Sequence, residues 1–124
     1  MSKAHYNCGL EAALDIIGGK WKVLVLYHLA PATRRFGELR RLVVGISEKM
    51  LIQQLREMEA DGIVSRTDFK QIPPRVEYAL TPFGVSLSLA LRPLCEWGSL
   101  HMSRIESVKA FAGAEQGETA QHPA

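Results

Sequence analysis

FGELRRLVVGISEKMLIQQLREMEADG, residues 36–62, holds two short amphipathic segments separated by Val44-Gly45-Ile46. In the first, Phe36, Leu39, Leu42 and Val43 recur at helical spacing, which predicts a helix of about two turns closed by that glycine-bearing link. The second opens at Ser47, whose hydroxyl can accept from an unpaired backbone N–H of the following turn, and runs to about Ala60, where Asp61-Gly62 supplies the stop. Two helices joined by a turn of about three or four residues containing glycine have the sequence form of a helix-turn-helix. On the second helix, steps of about 100° per residue gather Leu51, Leu55 and Met58 on one arc and Lys49, Gln53, Arg56 and Ala60 on the other. The apolar arc is expected to face a core, leaving the basic and amide-bearing arc bare.

The flanking sequence extends the motif in both directions. Downstream, Ile63–Phe69 reads as a strand with soft boundaries, Lys70–Pro74 as a loop and Arg75–Leu80 as a second strand, with Val76, Tyr78 and Leu80 alternating inward. Two strands with a basic, proline-bearing tip, set directly after the second helix, make a wing. Upstream, Leu10, Ala13, Leu14 and Ile17 form one stripe of a helix ended by Gly18-Gly19. Trp21 to Ala30 is apolar nearly all round before Pro31, which predicts a central buried helix. Thr81-Pro82 marks another helix start, Thr capping and Pro sitting where its missing N–H costs nothing. Phe83, Leu87, Leu91 and Leu94 share a stripe that Ile105 and Val108 resume after Gly98 and His101, so a long helix is expected to about Ala112, kinked at Pro93.

The expected fold is therefore mainly α with a small antiparallel β wing: a winged helix-turn-helix with a long C-terminal dimerisation helix. It places one domain over residues 1–112, with the second helix of the motif at about 47–60, the wing at about 63–80 and the long helix at about 82–112. A small polar tail, 113–124, follows and is expected to be disordered. A helix this long cannot bury its whole stripe in a small domain, so its far half is expected to meet the same helix of a second chain.

Composition narrows the function. With 47% hydrophobic and 23% charged residues among 124, the chain has the profile of an ordinary globular domain. No apolar run approaches the roughly 20 residues of a spanning helix, and the N-terminus lacks the continuous apolar stretch of a secretory signal. A cytoplasmic protein is expected, with no membrane association. Cys8 and Cys95 stand far apart and the four histidines are scattered, which points to no disulfide framework, no metal and no cofactor. Charge is unevenly spread. Residues 20–75 carry 11 Lys and Arg against 6 Asp and Glu, a net of +5, and the remainder carries 4 against 7, a net of −3. A surplus confined to the middle of the chain is the electrostatic footprint of a polyanion-binding face, although many solvated surfaces are as basic.

Candidate base-reading residues are Ser47, Lys49, Gln53 and Arg56. Lys and Arg donate to guanine O6 and N7, and Gln can pair bidentately with adenine. A merely solvated helix face would carry similar residues; the position as second helix of the motif favours a groove of double-stranded DNA. Candidate phosphate contacts are Arg34 and Arg35 ahead of the first helix of the motif, Arg40 and Arg41 on it, and Lys70, Gln71 and Arg75 on the wing, with Lys70 and Arg75 foremost. Arg40 and Arg41 cannot both point the same way, so at least one of them could serve solubility alone.

Several blocks together resemble the HxlR-type winged-helix transcription regulators, relatives of the MarR-like group, over roughly Cys8 to Arg104. They are Cys8 followed by Leu14-Asp15-Ile16-Ile17-Gly18-Gly19-Lys20-Trp21-Lys22; Arg35-Phe36-Gly37-Glu38-Leu39; Ile46-Ser47 with Lys49, Met50 and Leu51; Gly62-Ile63-Val64 with Arg66; Pro74 and Val76-Glu77-Tyr78 with Leu80-Thr81 and Gly84; and Cys95-Glu96-Trp97-Gly98. The resemblance implies a dimeric regulator, joined through its N-terminal and long C-terminal helices, that binds paired half-sites near promoters. It also implies a candidate redox sensor at Cys8, as some members sense oxidants or electrophiles there. The positive end of a helix dipole just after Cys8 favours thiolate, whereas the Cys8-Gly9 pair departs from the family's frequent Cys-Pro and a buried inert cysteine is the usual fate. Cys95 reads as core. Trp21 and Trp97 read as core in preference to the lining of a pocket for a small-molecule effector.

Two other classes of function fit parts of the pattern. A winged-helix module for protein contact would share the core without needing Lys49, Gln53 and Arg56 on one arc. An enzyme would need a catalytic constellation, and no Ser/His/Asp order, paired-acid motif or phosphate loop occurs in the sequence.

Overall fold

The computed structural model describes residues 5–120, with side chains through residue 114. The chain divides into two compact units, Met1–Ser88 and Leu89–Ala124. The first contains α1 (Gly9–Ile17), α2 (Trp21–Leu29), β1 (Arg34–Arg35), α3 (Phe36–Leu42), α4 (Glu48–Ala60), β2 (Val64–Asp68) and β3 (Val76–Leu80), and α5 (Pro82–Leu100) begins in it. The architecture is the expected winged helix-turn-helix, mostly helical with a small antiparallel sheet.

Its core lies between the motif and the wing. Leu39 and Val43 come from α3 and its end, Ile46 from the turn, Leu51, Leu55 and Met58 from α4, and Ile63 and Val64 from the start of the wing, all at most 6% exposed. Each such side chain removed from water contributes about 2 kcal/mol. Gly45 carries the turn between α3 and α4 at φ 91°, a backbone region that side-chain-bearing residues rarely enter. The Ser47 hydroxyl accepts from the Met50 N–H at 3.1 Å and so caps α4. Gln54 also turns toward the core, its amide donating to the Met50 sulfur at 3.3 Å.

α2 is central on one side only. Val25, Leu26 and Leu29 are buried, but Leu24 and Tyr27 are 38% and 58% exposed, so the opposite face of the helix is left open among the described residues. β1 is the element the sequence concealed: Arg34 and Arg35 pair with Tyr78 and Glu77, giving the sheet order β1-β3-β2. A two-residue strand is too short to alternate, and its ladder comes from a partner more than forty positions away. In the hairpin Val64 faces Leu80 and Asp68 faces Val76, and Phe69 N–H donates to the Arg75 carbonyl at 2.9 Å to close it. Of the three residues expected to point inward from β3, Tyr78 is buried and Val76 and Leu80 are half-buried.

Thr81 locks the start of α5 to the start of the wing. Its N–H donates to the Ile63 carbonyl at 3.0 Å, its hydroxyl donates to the Gly62 carbonyl, and its Oγ1 accepts from Gly84 N–H at 3.0 Å. Beyond Gly84, no described residue of α5 is buried.

The second unit continues α5 and adds α6 (Met102–Ala120). The single long helix expected from the sequence is thus two, parted at His101, while Pro93 lies inside α5 without ending it. His101 bonds the Trp97 carbonyl twice, through its backbone N–H at 3.1 Å and through Nδ1 at 2.9 Å, and a side chain competing for an i−4 carbonyl disturbs a helix at that point. Helical backbone also reaches Ala120 where a polar tail is expected from 113; Ala112, Ala114, Glu115, Gln116 and Glu118 are good helix formers. Residues 121–124 of that tail lie outside the described residues.

Candidate nucleic-acid interface

α4 separates its two faces as its periodicity requires. Leu51, Leu55 and Met58 are at most 2% exposed, whereas Lys49, Gln53, Arg56 and Ala60 are all exposed. Lys49, Gln53 and Arg56 line one shallow open groove together with Glu48, Ile52 and Glu57. Ser47 stands at the entrance of the helix, exposed, its hydroxyl engaged in the cap.

The two carboxylates on this face are each paired with a cation from another helix. Glu48 meets Arg40 of α3 at 3.5 Å, an exposed pair of small energetic worth. Glu57 meets Lys22 of α2 at 2.5 Å through Oε1 and accepts from the Gln53 amide at 3.1 Å through Oε2. The hydrogen bond from Lys22 and then that from Gln53 hold the Glu57 carboxyl below the usual carboxylate range. Sequence reasoning missed this triad. The Gln53 to Glu57 spacing of one helical turn was visible, but nothing in the sequence pairs Lys22 with residue 57.

The candidate phosphate ligands differ in how far they are committed within the chain. Arg35, Arg41, Lys70 and Gln71 are exposed. Arg40 holds Glu48. Arg34 is half-buried in β1 and donates from Nε to the His28 carbonyl at 3.0 Å. Arg75 is ion-paired with Glu77 at 2.7 Å and its guanidinium lies 4.2 Å from the Phe69 ring centroid, so it stiffens the hairpin from within. Lys70 N–H donates to Asp68 Oδ1 at 2.8 Å, which shapes the wing tip, and Ile72 beside it is 99% exposed.

Cys8 is exposed and occupies the N-cap position of α1 with no side-chain cap hydrogen bond. Cys95 and Trp97, both expected in the core, are exposed, Trp97 at 55%, because no described residue between 89 and 114 is buried. Trp97 stacks on His101 at 4.7 Å. Trp21 is half-buried beneath the Lys20 ammonium, 4.4 Å from its ring, and lies against the Gly45 turn. Among the described residues no group of His, Cys, Asp and Glu could hold a metal ion, and no helix is long and apolar enough to cross a membrane.

The model of the HxlR-like helix-turn-helix family matches residues 16–106. The chain is 50% identical over 105 residues to the HTH-type transcriptional regulator YtcD of Bacillus subtilis (strain 168), covering 85% of this chain and 83% of that protein. Among solved structures it is similar to the redox regulator HypR in its reduced form, with 46% identity and a TM-score of 0.75 over 81% of this chain and 99% of HypR. It is also similar to a MarR-family transcriptional regulator from Porphyromonas gingivalis W83, with 32% identity and a TM-score of 0.73 over 80% of this chain and 97% of the other. The chain belongs to the HxlR-like helix-turn-helix family, and with it to the DNA-binding transcription regulators.

Proposed function

We propose that the protein acts as a homodimer on an operator of two half-sites about one helical turn apart, each read by one α4. The observation that carries this is the division of α4 into a buried apolar face and an open one bearing Lys49, Gln53 and Arg56. Lys49 and Arg56 donate to guanine edges and Gln53 pairs with adenine, with Ser47 at the helix entrance close to the bases. Arg35, Arg41, Lys70 and Gln71 hold phosphates, and Arg40 joins them by exchanging Glu48 for the backbone. Arg34 and Arg75 support the wing and its root in place of direct phosphate contact.

The dimer rests on uncovered apolar surface. Leu10 and Leu14 of α1 and Leu94, Leu100, Val108 and Phe111 of α5 and α6 are all more than half exposed in the single chain. Apolar surface on this scale marks an interaction site. A partner copy that covers these side chains brings two α4 helices into one assembly.

Selection from a randomised duplex pool, followed by a salt titration on the winning sequence, tests the reading. Dimeric binding with a steep fall of affinity as salt rises supports it, since neutralising several phosphates gives a slope of about −0.9 per phosphate. Absence of binding at low salt favours a protein-contact module.

A second reading, that the regulator responds to oxidants or electrophiles, is favoured by the exposure of Cys8 at the start of α1. The similarity to the redox regulator HypR supports it. Mass spectrometry of oxidant-treated protein alongside operator binding tests it: modification of Cys8 that changes affinity in wild type and not in Cys8→Ser is the expected result, and unchanged affinity contradicts it.

A further inference from the structure

We infer that Glu57, anchored by Lys22, fixes the orientation of the Gln53 carboxamide on α4 and is thereby a positioning residue for base selection. The inference rests on the reading of α4 as the base-reading helix.

A glutamine amide presents a donor on one side and an acceptor on the other, and reversing it changes which base edge it matches. An ionised carboxylate only accepts. With Glu57 Oε2 3.1 Å from Nε2, the Gln53 amide must turn its NH2 toward Glu57, because the reversed amide would set two acceptors against each other. One N–H is thereby used, while the second N–H and Oε1 have no partner among the described residues, and these are the donor–acceptor pair that an adenine edge requires.

Glu57 is itself constrained. Its other oxygen receives the Lys22 ammonium, whose side chain is 13% exposed while that of Glu57 is 43% exposed. Lys22 lies in the first turn of α2, so the carboxylate bridges a residue of the supporting helix to a residue of the reading face. Lys22 also offsets a negative charge that would otherwise stand unpaired on a surface meant for phosphates.

The test uses the duplex selected by the wild-type protein and a scrambled duplex of equal composition, and reads the ratio of the two affinities. Glu57→Gln removes the charge while keeping the shape, and its amide can present either end to Gln53. The ratio is expected to fall about tenfold, with the lost preference confined to one base position in each half-site, while affinity for the scrambled duplex rises slightly. If Glu57 contributes charge alone, both affinities rise together and the ratio holds, which overturns the inference. In a Gln53→Ala background, Glu57→Gln should leave the ratio unchanged, since the two act as one unit; a further fall there also overturns it. Lys22→Met, which frees the carboxylate without altering it, should loosen the same position, and an unchanged preference in that variant counts against the anchoring. Gln53→Ala alone separates the two levels. An undiminished ratio in that variant removes the reading of Gln53 and the inference with it, whereas a diminished ratio with Glu57→Gln unaffected removes the inference only.

Discussion

Gly84 and Ile63 meet backbone to backbone: a methyl group on Gly84 would stand 2.1 Å from the Ile63 carbonyl oxygen. That approach lets α5 start directly against the first residues of the wing, with Thr81 tying both together. Neither backbone can yield without breaking the Thr81 N–H bond to the same carbonyl. Gly84→Ala should therefore cost about 3 kcal/mol, seen as a fall of more than about 10 °C in thermal midpoint. Gly37, whose added methyl would meet only the Arg41 guanidinium at an ordinary 3.7 Å, is the control, and Gly37→Ala should be neutral or stabilise by up to about 1 kcal/mol.

Ser47 serves the fold before it serves any ligand. Because its hydroxyl accepts the Met50 N–H, Ser47→Ala should cost about 1 kcal/mol in denaturant titration even without DNA. Ser47→Asp, which can accept the same bond, should recover that stability while weakening DNA binding through repulsion of the backbone. Equal stability of Ser47→Ala and wild type would contradict the cap.

The helix-turn-helix was legible because its cues are local. An apolar arc, an N-cap serine and a glycine in the turn all act within a few residues, and each is found where its chemistry requires it. What remained hidden depends on distant partners. Arg34 and Arg35 form a strand because Tyr78 and Glu77 are there to pair with them. Arg75 is taken up by Glu77 and Phe69, and Lys22 by Glu57, so two cations that look alike in the sequence are engaged by different partners. The long C-terminal stripe is apolar in the sequence itself, but the helix break falls at His101, where the imidazole bonds a backbone carbonyl, a conformational choice that spacing does not encode.

His28 should make stability depend on pH near neutrality. Burial, and then the charge of Arg34, lower its pKa from the ordinary 6.5, so the folded chain resists a proton that the unfolded chain accepts. The stability is fully present above that ordinary value and is lost as pH falls below it toward the folded value. The thermal midpoint should thus be lower at about pH 5.5 than at about pH 7.5, and His28→Gln should flatten the difference. An identical drop in His28→Gln would assign the effect elsewhere.

Leu100, 79% exposed in the single chain, reports on the proposed interface. Leu100→Glu should shift sedimentation toward the monomer, and at fixed protein concentration weaken operator binding by at least about tenfold, because linking two half-site contacts multiplies affinity. A stable monomeric wild type would refute the dimer.

The most direct measurement is the affinity of Lys49→Ala/Gln53→Ala for the duplex selected by the wild-type protein, taken together with its melting temperature. Both side chains are exposed on α4, opposite Leu51, Leu55 and Met58. The double variant should bind the selected duplex no better than a scrambled one and melt within about 4 °C of wild type, as substitutions at exposed positions usually do. Undiminished preference for the selected sequence would show that some other surface reads the bases.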